Sequence, residues 1–168
     1  GHAVFTAKPI IGDEPFALLL GDEIMVSEAH QSNVTAQLCD LYETHKQSCV
    51  AVMKVPLEEV NKYGIISGRP LRDRIFQVES LVEKPQPKPG ISQLALPGRY
   101  VFEKEIFKYL SETSPGIQGE IQLTDAMNKM TQQHGMLALQ IAEKRYDTGS
   151  KMGFLKANIE LALSRPDL

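Results

Sequence analysis

The sequence of 168 residues has only two cysteines, Cys39 and Cys49, and it lacks any excess of basic residues. Two cysteines at this spacing match neither a metal-binding motif nor a disulfide framework. The 18 basic and 21 acidic residues give a net charge of −3, which argues against binding to nucleic acid or to an acidic membrane surface. These absences predict a reduced, soluble, cytoplasmic protein with no nucleic-acid or membrane partner.

Long apolar runs are missing as well. The longest strongly apolar run, 16–20, is far shorter than the roughly 20 residues that a membrane span requires. No charged segment followed by an apolar segment opens the chain, so we expect no signal peptide. The sequence contains no P-loop, nucleophile elbow or dinucleotide-binding fingerprint, and its histidines lack the spacing of a metal site. We expect one domain over residues 1–168.

Strand-like and helix-like apolar patterns alternate along the chain, as in a mixed α/β layer structure. The strand-like segments are 16–20, 49–53, 65–66, 75–82, 93–102 and 136–141. The helix-like segments are 33–45, 57–63, 104–110, 123–134 and 152–163. Ser32 is the expected N-cap of the first long helix, and Pro166 is expected to stop the last one. The turn-rich segment 68–74 and the proline-rich segment 85–90 are expected to be loops.

Two aspartates lie where α/β proteins place ligands, just past strand-like segments. Asp22 follows the apolar run 16–20, and Asp147 lies in the strand-to-helix turn 145–150. Aspartate is short and suited to holding Mg²⁺ together with phosphate oxygens, and two such residues could flank one cation. Each also has a structural explanation, with Asp22 in a solvated turn and Asp147 as a cap of the last helix.

Glu83 and Lys84 end a strand-like run directly before Pro85. Lys84 offers a compact cation for a phosphate, and Glu83 offers two acceptors for sugar hydroxyls. The alternative is a surface ion pair that contributes little to stability. Gly64 allows a close approach of the backbone to a ligand, although a plain turn glycine explains it equally simply. The segment 119–125 precedes a helix, and we interpret it as mostly structural.

Eight short stretches follow one another across the chain in a recognisable order: 1–4, 12–17, 20–22, 62–66, 82–85, 98–101, 119–126 and 145–149. Each is weakly specific, but the collinear set resembles the sugar-nucleotide pyrophosphorylases, a family of sugar nucleotidyltransferases. Stretches 120–125 and 145–147 are most similar to the bacterial members that use UTP and glucose 1-phosphate. Gly21 and Thr148 stand where that family usually has Pro and often has Cys, and neither change removes a ligand.

The resemblance implies an α/β fold with a mixed, mainly parallel sheet flanked by helices, the Rossmann-like fold of the nucleotide-diphospho-sugar transferases. It also implies Mg²⁺-dependent uridylyl transfer from UTP to glucose 1-phosphate, giving UDP-glucose and pyrophosphate in a cytoplasmic homo-oligomer. The family's opening glycine-rich nucleotide-binding loop has no counterpart in this sequence, which resembles the C-terminal two-thirds of such an enzyme. We therefore expect the 168 residues alone to be inactive.

The resemblance also assigns roles to particular residues. It implies that Asp22 and Asp147 bind Mg²⁺, that Glu83 binds the glucose hydroxyls, and that Lys84 binds the sugar phosphate. The backbone of Gly64 would lie against the sugar, and Lys84 and Asp22 would be the catalytic residues. Two alternatives stay open: another sugar-phosphate nucleotidyltransferase, such as a thymidylyltransferase, and a non-catalytic module for sugar-phosphate binding or oligomerisation.

Overall fold

The computed structural model describes residues 1–28, 32–116, 119–165 and 167. The helices are His2–Thr6 (α1), Lys8–Ile11 (α2), Val34–His45 (α3), a 3₁₀ helix at Leu57–Lys62, Ile106–Ser111 (α4), Leu123–His134 (α5) and Lys151–Leu163 (α6). The strands are Phe16–Leu19 (β1), Glu23–Val26 (β2), Cys49–Lys54 (β3), Gly64–Arg72 (β4), Ile75–Glu83 (β5), Leu94–Ala95 (β6), Arg99–Phe102 (β7), Leu137–Gln140 (β8) and Lys144–Asp147 (β9).

Seven of these strands form the main sheet, in the order β1-β7-β3-β6-β4-β5-β8, with β3 also paired to β8. The sheet is mixed, as the sequence predicts. Within the described residues, however, β3–β8 is the single parallel pairing and the other pairings are antiparallel, so the expected predominance of parallel pairs is not found. For β4 and β5 the reason is connectivity, because a tight turn joins these two strands, whereas parallel strands need a long crossover.

Strand β3 lies in the core and alternates its side chains between two helical layers. Val50 and Val52 pack with α4 and α5 on one face of the sheet, in a cluster that includes Phe102 and Met127. Cys49 and Ala51 pack on the other face, in a cluster with residues of α3 such as Leu38. A strand with both faces covered is apolar throughout, which explains why 49–53 lacks an alternating pattern.

A second, two-stranded sheet pairs β2 with β9 in antiparallel register, placing Glu23 opposite Asp147. The sequence does not predict β2, because its four residues carry no alternating pattern and its partner strand lies more than 100 residues away. Helix α6 packs against this small sheet. The second sheet is what joins the two aspartate-bearing turns.

Three local predictions are wrong in detail. The N-cap of α3 is Asn33 rather than Ser32, because the Asn33 side chain accepts a hydrogen bond from the Ala36 N–H. Residues 68–72 belong to β4 rather than to a loop, since a turn at 73–74 closes the hairpin. The segment 93–102 is two strands, β6 and β7, interrupted near Gly98, which has a φ of 83°.

Helix α6 ends at Leu163, close to the predicted end. Pro166 lies outside the described residues, and so does His30, one of the histidines whose spacing fits no metal site. In the part of the chain that the structure describes, no helix combines the length and apolar character that crossing a bilayer requires.

Candidate active site

Asp22 and Asp147 face the same small space beside Gly149. Asp22 lies in the turn between β1 and β2, and Asp147 is the last residue of β9. A Cβ atom on Gly149 would lie 2.9 Å from Asp22 Oδ2 and 3.3 Å from Asp147 Oδ1, so a side chain at this position would fill the space between the carboxylates. We call Asp22 and Asp147 the acidic pair. The structure therefore brings together two carboxylates that are 125 positions apart in the sequence.

The turn that carries Asp22 is braced from two sides. The backbone N–H and the hydroxyl of Thr148 both donate to the Asp22 carbonyl, at 2.7 and 3.0 Å. On the other side, the buried guanidinium of Arg99 donates to the Leu20 carbonyl at 3.2 Å and also to the Glu23 carbonyl. Because both ends of the turn are held, the position of the Asp22 carboxylate is restricted before any ligand binds.

The acidic pair fits an oxygen-preferring cation that is completed by substrate. No group of three or more His, Cys, Asp or Glu side chains among the described residues is placed to hold a metal ion. Mg²⁺ is typically bound through one or two carboxylates, with phosphate and water oxygens as its other ligands. One Asp147 oxygen accepts the Gly149 N–H at 3.0 Å, which orients the carboxylate. The donor set fits Mg²⁺ better than a metal that requires a closed protein cage.

A second cluster of polar residues lies at the start of β4 and the end of β5. We call Gly64, Glu83, Lys84 and Thr124 the Glu83 cluster. Gly64 is paired with Glu83 in the β4–β5 ladder, and Glu83 Oε2 accepts a hydrogen bond from the Thr124 hydroxyl at 2.6 Å. A Cβ atom on Gly64 would lie 3.0 Å from Thr124 Oγ1 and 3.2 Å from Glu83 Oε2. Glycine at position 64 therefore leaves the carboxylate and the hydroxyl room to meet.

Lys84 has an unusual backbone conformation for a residue with a side chain. Its φ is 44°, in the left-handed region, and its N–H donates to the Tyr63 carbonyl at 3.0 Å. The ammonium nitrogen lies 3.9 Å from Glu83 Oε1, and the side chain is 63% exposed. Non-glycine residues that are held in this region are concentrated at functional sites. The conformation places a solvent-accessible cation next to the Glu83 carboxylate.

Comparison with known proteins identifies the family. A sequence model described as "Nucleotidyl transferase" matches residues 1–163. The chain belongs to the nucleotidyl transferase family. Within this family, it is 45% identical over 157 residues to UTP–glucose-1-phosphate uridylyltransferase of Pseudomonas aeruginosa, a match that covers 94% of this chain and 56% of the relative. It is also 45% identical over 168 residues to the Bacillus subtilis protein of the same name, covering 100% of this chain and 56% of the relative.

Solved structures of the family share the fold. A crystal structure of UDP-glucose pyrophosphorylase complexed with UDP-glucose superimposes with a TM-score of 0.93 at 40% identity, covering 98% of this chain and 62% of that one. A UTP-bound enzyme from Acinetobacter baumannii has a TM-score of 0.88 at 31% identity, covering 99% and 57% of the two chains. The predicted family and nucleotidyltransferase fold are confirmed. The nucleotidyl transferase chain described here spans about 56% of the length of the curated relatives quoted above.

Sequence patterns point to five residues of this region, Asp22, Gly64, Glu83, Lys84 and Asp147, and not to others that the structure places there. Thr124, interpreted from the sequence as mostly structural, hydrogen-bonds to Glu83. Those patterns do not indicate Glu23 or Arg145, yet the two form a largely buried ion pair, in which the Arg145 guanidinium lies 3.8 Å from Asp147 Oδ2. The sequence spacing could have pointed to Arg145, because residues 145 and 147 are two positions apart on one strand and therefore lie on the same face of the small sheet. The roles of the five predicted residues stay predictions.

Burial and charge act against each other in this ion pair. Desolvation raises the pKa of the Glu23 carboxyl, while the hydrogen bonds from Arg145 lower it. Burial lowers the pKa of Arg145, but its hydrogen bonds and attraction to Glu23 outweigh that effect, so the net pKa is raised. The two side chains are 13% and 10% exposed, so this pair is shielded from water far more than an ordinary surface salt bridge.

Proposed function

We propose that this chain is the sugar-phosphate-binding and metal-binding part of a UTP–glucose-1-phosphate uridylyltransferase. The reaction converts UTP and glucose 1-phosphate into UDP-glucose and pyrophosphate. The observation that carries the proposal is the acidic pair, which Arg145 and Tyr63 connect to the exposed Lys84 beside Glu83. The 45% identity to two uridylyltransferases supports the same reaction.

Glucose 1-phosphate binds at the Glu83 cluster in this proposal. Glu83 accepts hydrogen bonds from glucose hydroxyls, with Thr124 fixing one of its oxygens. The Lys84 ammonium group neutralises the sugar phosphate, which a compact cation on a flexible stem suits well. Gly64 leaves space for the sugar against the backbone, since any side chain there would meet Glu83 and Thr124.

The chemistry requires no protein nucleophile. A phosphate oxygen of glucose 1-phosphate attacks the α-phosphorus of UTP, and a new P–O bond forms. The bond between the α-phosphorus and the oxygen that bridges to the β-phosphate breaks, and pyrophosphate leaves with the electron pair. Enzymes accelerate such transfers by positioning the reactants and neutralising charge. Lys84 supplies charge at the attacking phosphate, and its position beside Glu83 orients that phosphate for in-line attack.

We assign Asp22 and Asp147 as the ligands of Mg²⁺. When bound, Mg²⁺ neutralises charge on the phosphate groups of both substrates. The protein's own contribution is to hold the two carboxylates in place, through Thr148 and Arg99 for Asp22 and through the Gly149 N–H for Asp147. A cytoplasmic location and homo-oligomerisation stay predictions.

A pyrophosphate-release assay with UTP, glucose 1-phosphate and Mg²⁺ tests the proposal. It is run on this chain and on the chain extended upstream to the length of its relatives. We expect turnover by the extended chain. We expect no comparable rate from the 168 residues, which span about 56% of the relatives' length. Replacing UTP by dTTP in the same assay tests the thymidylyltransferase alternative.

Each arm of this assay has an outcome that contradicts the proposal. An extended chain that releases no pyrophosphate from UTP would rule out the proposed reaction. Equal turnover by the short chain would mean that the nucleotide site lies within these residues and that our assignment of the site is incomplete.

A further inference from the structure

Arg145 contacts the acidic pair directly and also contacts Tyr63, the residue next to the Glu83 cluster. Its guanidinium hydrogen-bonds to both carboxylate oxygens of Glu23 and lies 3.8 Å from Asp147 Oδ2. The same group donates to the Tyr63 hydroxyl at 3.1 Å and lies over the Tyr63 ring, 5.1 Å from its centroid. One largely buried side chain therefore contacts a member of the acidic pair and the residue that directly precedes Gly64.

Tyr63 connects this contact to the Glu83 cluster. Its carbonyl accepts the N–H of Lys84 at 3.0 Å, and the next residue, Gly64, pairs with Glu83 in the sheet. Moving Tyr63 would therefore move the backbone next to both Gly64 and Lys84. On the other side of Arg145, Asp147 lies on the same face of β9. Glu23 of β2 is paired with Asp147 in the small sheet.

We propose that Arg145 is a positioning residue that couples the acidic pair to the Glu83 cluster through Tyr63. The inference rests on the proposed function, because it assigns the two clusters to two parts of one substrate complex. Glu23 holds the guanidinium plane with two parallel hydrogen bonds, leaving another guanidinium nitrogen for the Tyr63 hydroxyl. The guanidinium carbon also lies over the Tyr63 ring. Only the flat, forked head of arginine makes all of these contacts together, and lysine does not.

Binding measurements on this chain test the coupling without requiring turnover. The variants are Arg145→Lys, which keeps the charge but loses the fork, and Tyr63→Phe, which loses only the hydroxyl. Arg74→Lys is the matched control, because its guanidinium also hydrogen-bonds to two different residues, at the Gln140 carbonyl and the Gln37 side chain. Arg74 lies in the turn between β4 and β5, whereas Arg145 lies on β9. Mn²⁺ binding is measured by electron paramagnetic resonance, glucose 1-phosphate binding by calorimetry with Mn²⁺ present, and folding by circular dichroism.

The two variants should separate positioning from stability. Replacing a side chain that supports a metal ligand typically lowers the metal affinity by roughly 10- to 100-fold. We expect Arg145→Lys to lower the affinities for Mn²⁺ and for glucose 1-phosphate to this extent. Tyr63→Phe should weaken glucose 1-phosphate binding and leave the Mn²⁺ affinity within about twofold of the original. Arg74→Lys should leave the affinities for both ligands within about twofold. Because Tyr63→Phe leaves the Glu23–Arg145 ion pair intact, it remains informative if Arg145→Lys fails to fold.

Several results would overturn the inference. Unchanged affinities in a folded Arg145→Lys protein would make the residue merely structural. A loss confined to Mn²⁺, or a Tyr63→Phe protein with normal glucose 1-phosphate binding, would exclude coupling through Tyr63. If the unmodified chain does not bind Mn²⁺, the acidic pair is not a metal site in this chain and the proposed coupling is wrong. If the expected losses occur but the extended chain transfers no uridylyl group, the coupling stands and the proposed function fails.

Discussion

Lys84 combines a left-handed backbone, with a φ of 44°, and an exposed ammonium group beside a carboxylate. For a residue with a Cβ atom, this backbone region costs about 1–2 kcal/mol. Glycine avoids that cost but loses about 0.5–1 kcal/mol through its greater freedom in the unfolded chain. The position thus retains a lysine where glycine would fold equally well, which is the expected pattern when the side chain has a function.

We predict that Lys84→Gly leaves the free energy of unfolding within about 1 kcal/mol of the original value. The same change should reduce kcat/KM for glucose 1-phosphate in the extended chain by the equivalent of about 2–5 kcal/mol, the usual cost of losing a desolvated charge contact. Lys84→Ala is the control: it should lose the same activity and be no more stable than Lys84→Gly, because alanine keeps the Cβ atom that makes this backbone region costly. Urea unfolding and steady-state kinetics measure the two quantities. Near-normal kinetics in either variant would refute the assignment of Lys84.

Glu83 leads to a second prediction, about which substrate it contacts. Its carboxylate accepts the Thr124 hydroxyl and lies next to Gly64, so it faces the proposed sugar position. Glu83→Gln should therefore raise the KM for glucose 1-phosphate and leave the KM for UTP within a small factor. The reason is that a site built to hydrogen-bond a substrate loses affinity for that substrate when one of the paired groups is left without its partner. Initial rates with each substrate varied in turn check this. Equal changes in both KM values would indicate a structural role instead.

At the scale of elements, the junction of β9 and α6 joins the acidic pair to a helix. The Ser150 hydroxyl accepts the Gly153 N–H at 3.1 Å and caps α6. A Cβ atom on Gly153 would lie 1.8 Å from the Asp147 carbonyl oxygen and 2.7 Å from Ser150 Oγ. The helix can begin directly after the Asp147 turn only because residue 153 has no side chain.

We predict that Gly153→Ala destabilises the protein and weakens Mn²⁺ binding. Alanine normally favours a helix interior over glycine by about 1 kcal/mol, but here the clash with the Asp147 carbonyl must displace β9 or the first turn of α6. Lys156→Gly, within the same helix, should cost about 1 kcal/mol of stability without altering Mn²⁺ affinity. Thermal unfolding and electron paramagnetic resonance measure the two effects. A more stable Gly153→Ala protein with normal Mn²⁺ affinity would contradict this account.

The strength of the sequence signal differed among elements for physical reasons. Strand β3 was predicted because both of its faces are buried and its residues are apolar and often β-branched. Helix α5 was predicted because one face is buried and Gly135 ends it, with a φ of 72°. Strands β2 and β9 have four residues each and stabilise each other only across the folded chain, so no local pattern marks β2.

At the scale of the whole molecule, strand β1 is the outer strand of the main sheet. Among the residues that the structure describes, β1 pairs only with β7. Leu19 is 50% exposed and Leu20 is 40% exposed. Exposed apolar edge strands tend to pair with other chains, which natural proteins counter with charged side chains.

We predict that the 168-residue chain self-associates through β1 in a concentration-dependent manner. Leu19→Lys should reduce this association, because a charge at the strand edge opposes pairing. Leu163→Lys, at an exposed leucine of α6, is the matched control and should leave it unchanged. Sedimentation velocity over a range of concentrations measures the association. A chain that stays monomeric throughout, or equal effects of both changes, would exclude β1 as the contact.

The sequence by itself determined the family, the mixed α/β class and the candidate residues, because each of these depends on short stretches in a fixed order or on local apolar patterns. Asp22, Gly64, Glu83, Lys84 and Asp147 could be chosen from such stretches. Local patterns do not contain the distance in space between segments that are far apart in the chain. The pairing of β2 with β9, and the acidic pair that results from it, were therefore decided only by the tertiary structure. The same holds for Arg145, whose contacts with Glu23 and Tyr63 each span more than 80 positions of the chain. Side chains that act by joining distant segments have no local signature, because their environment does not exist until the chain has folded.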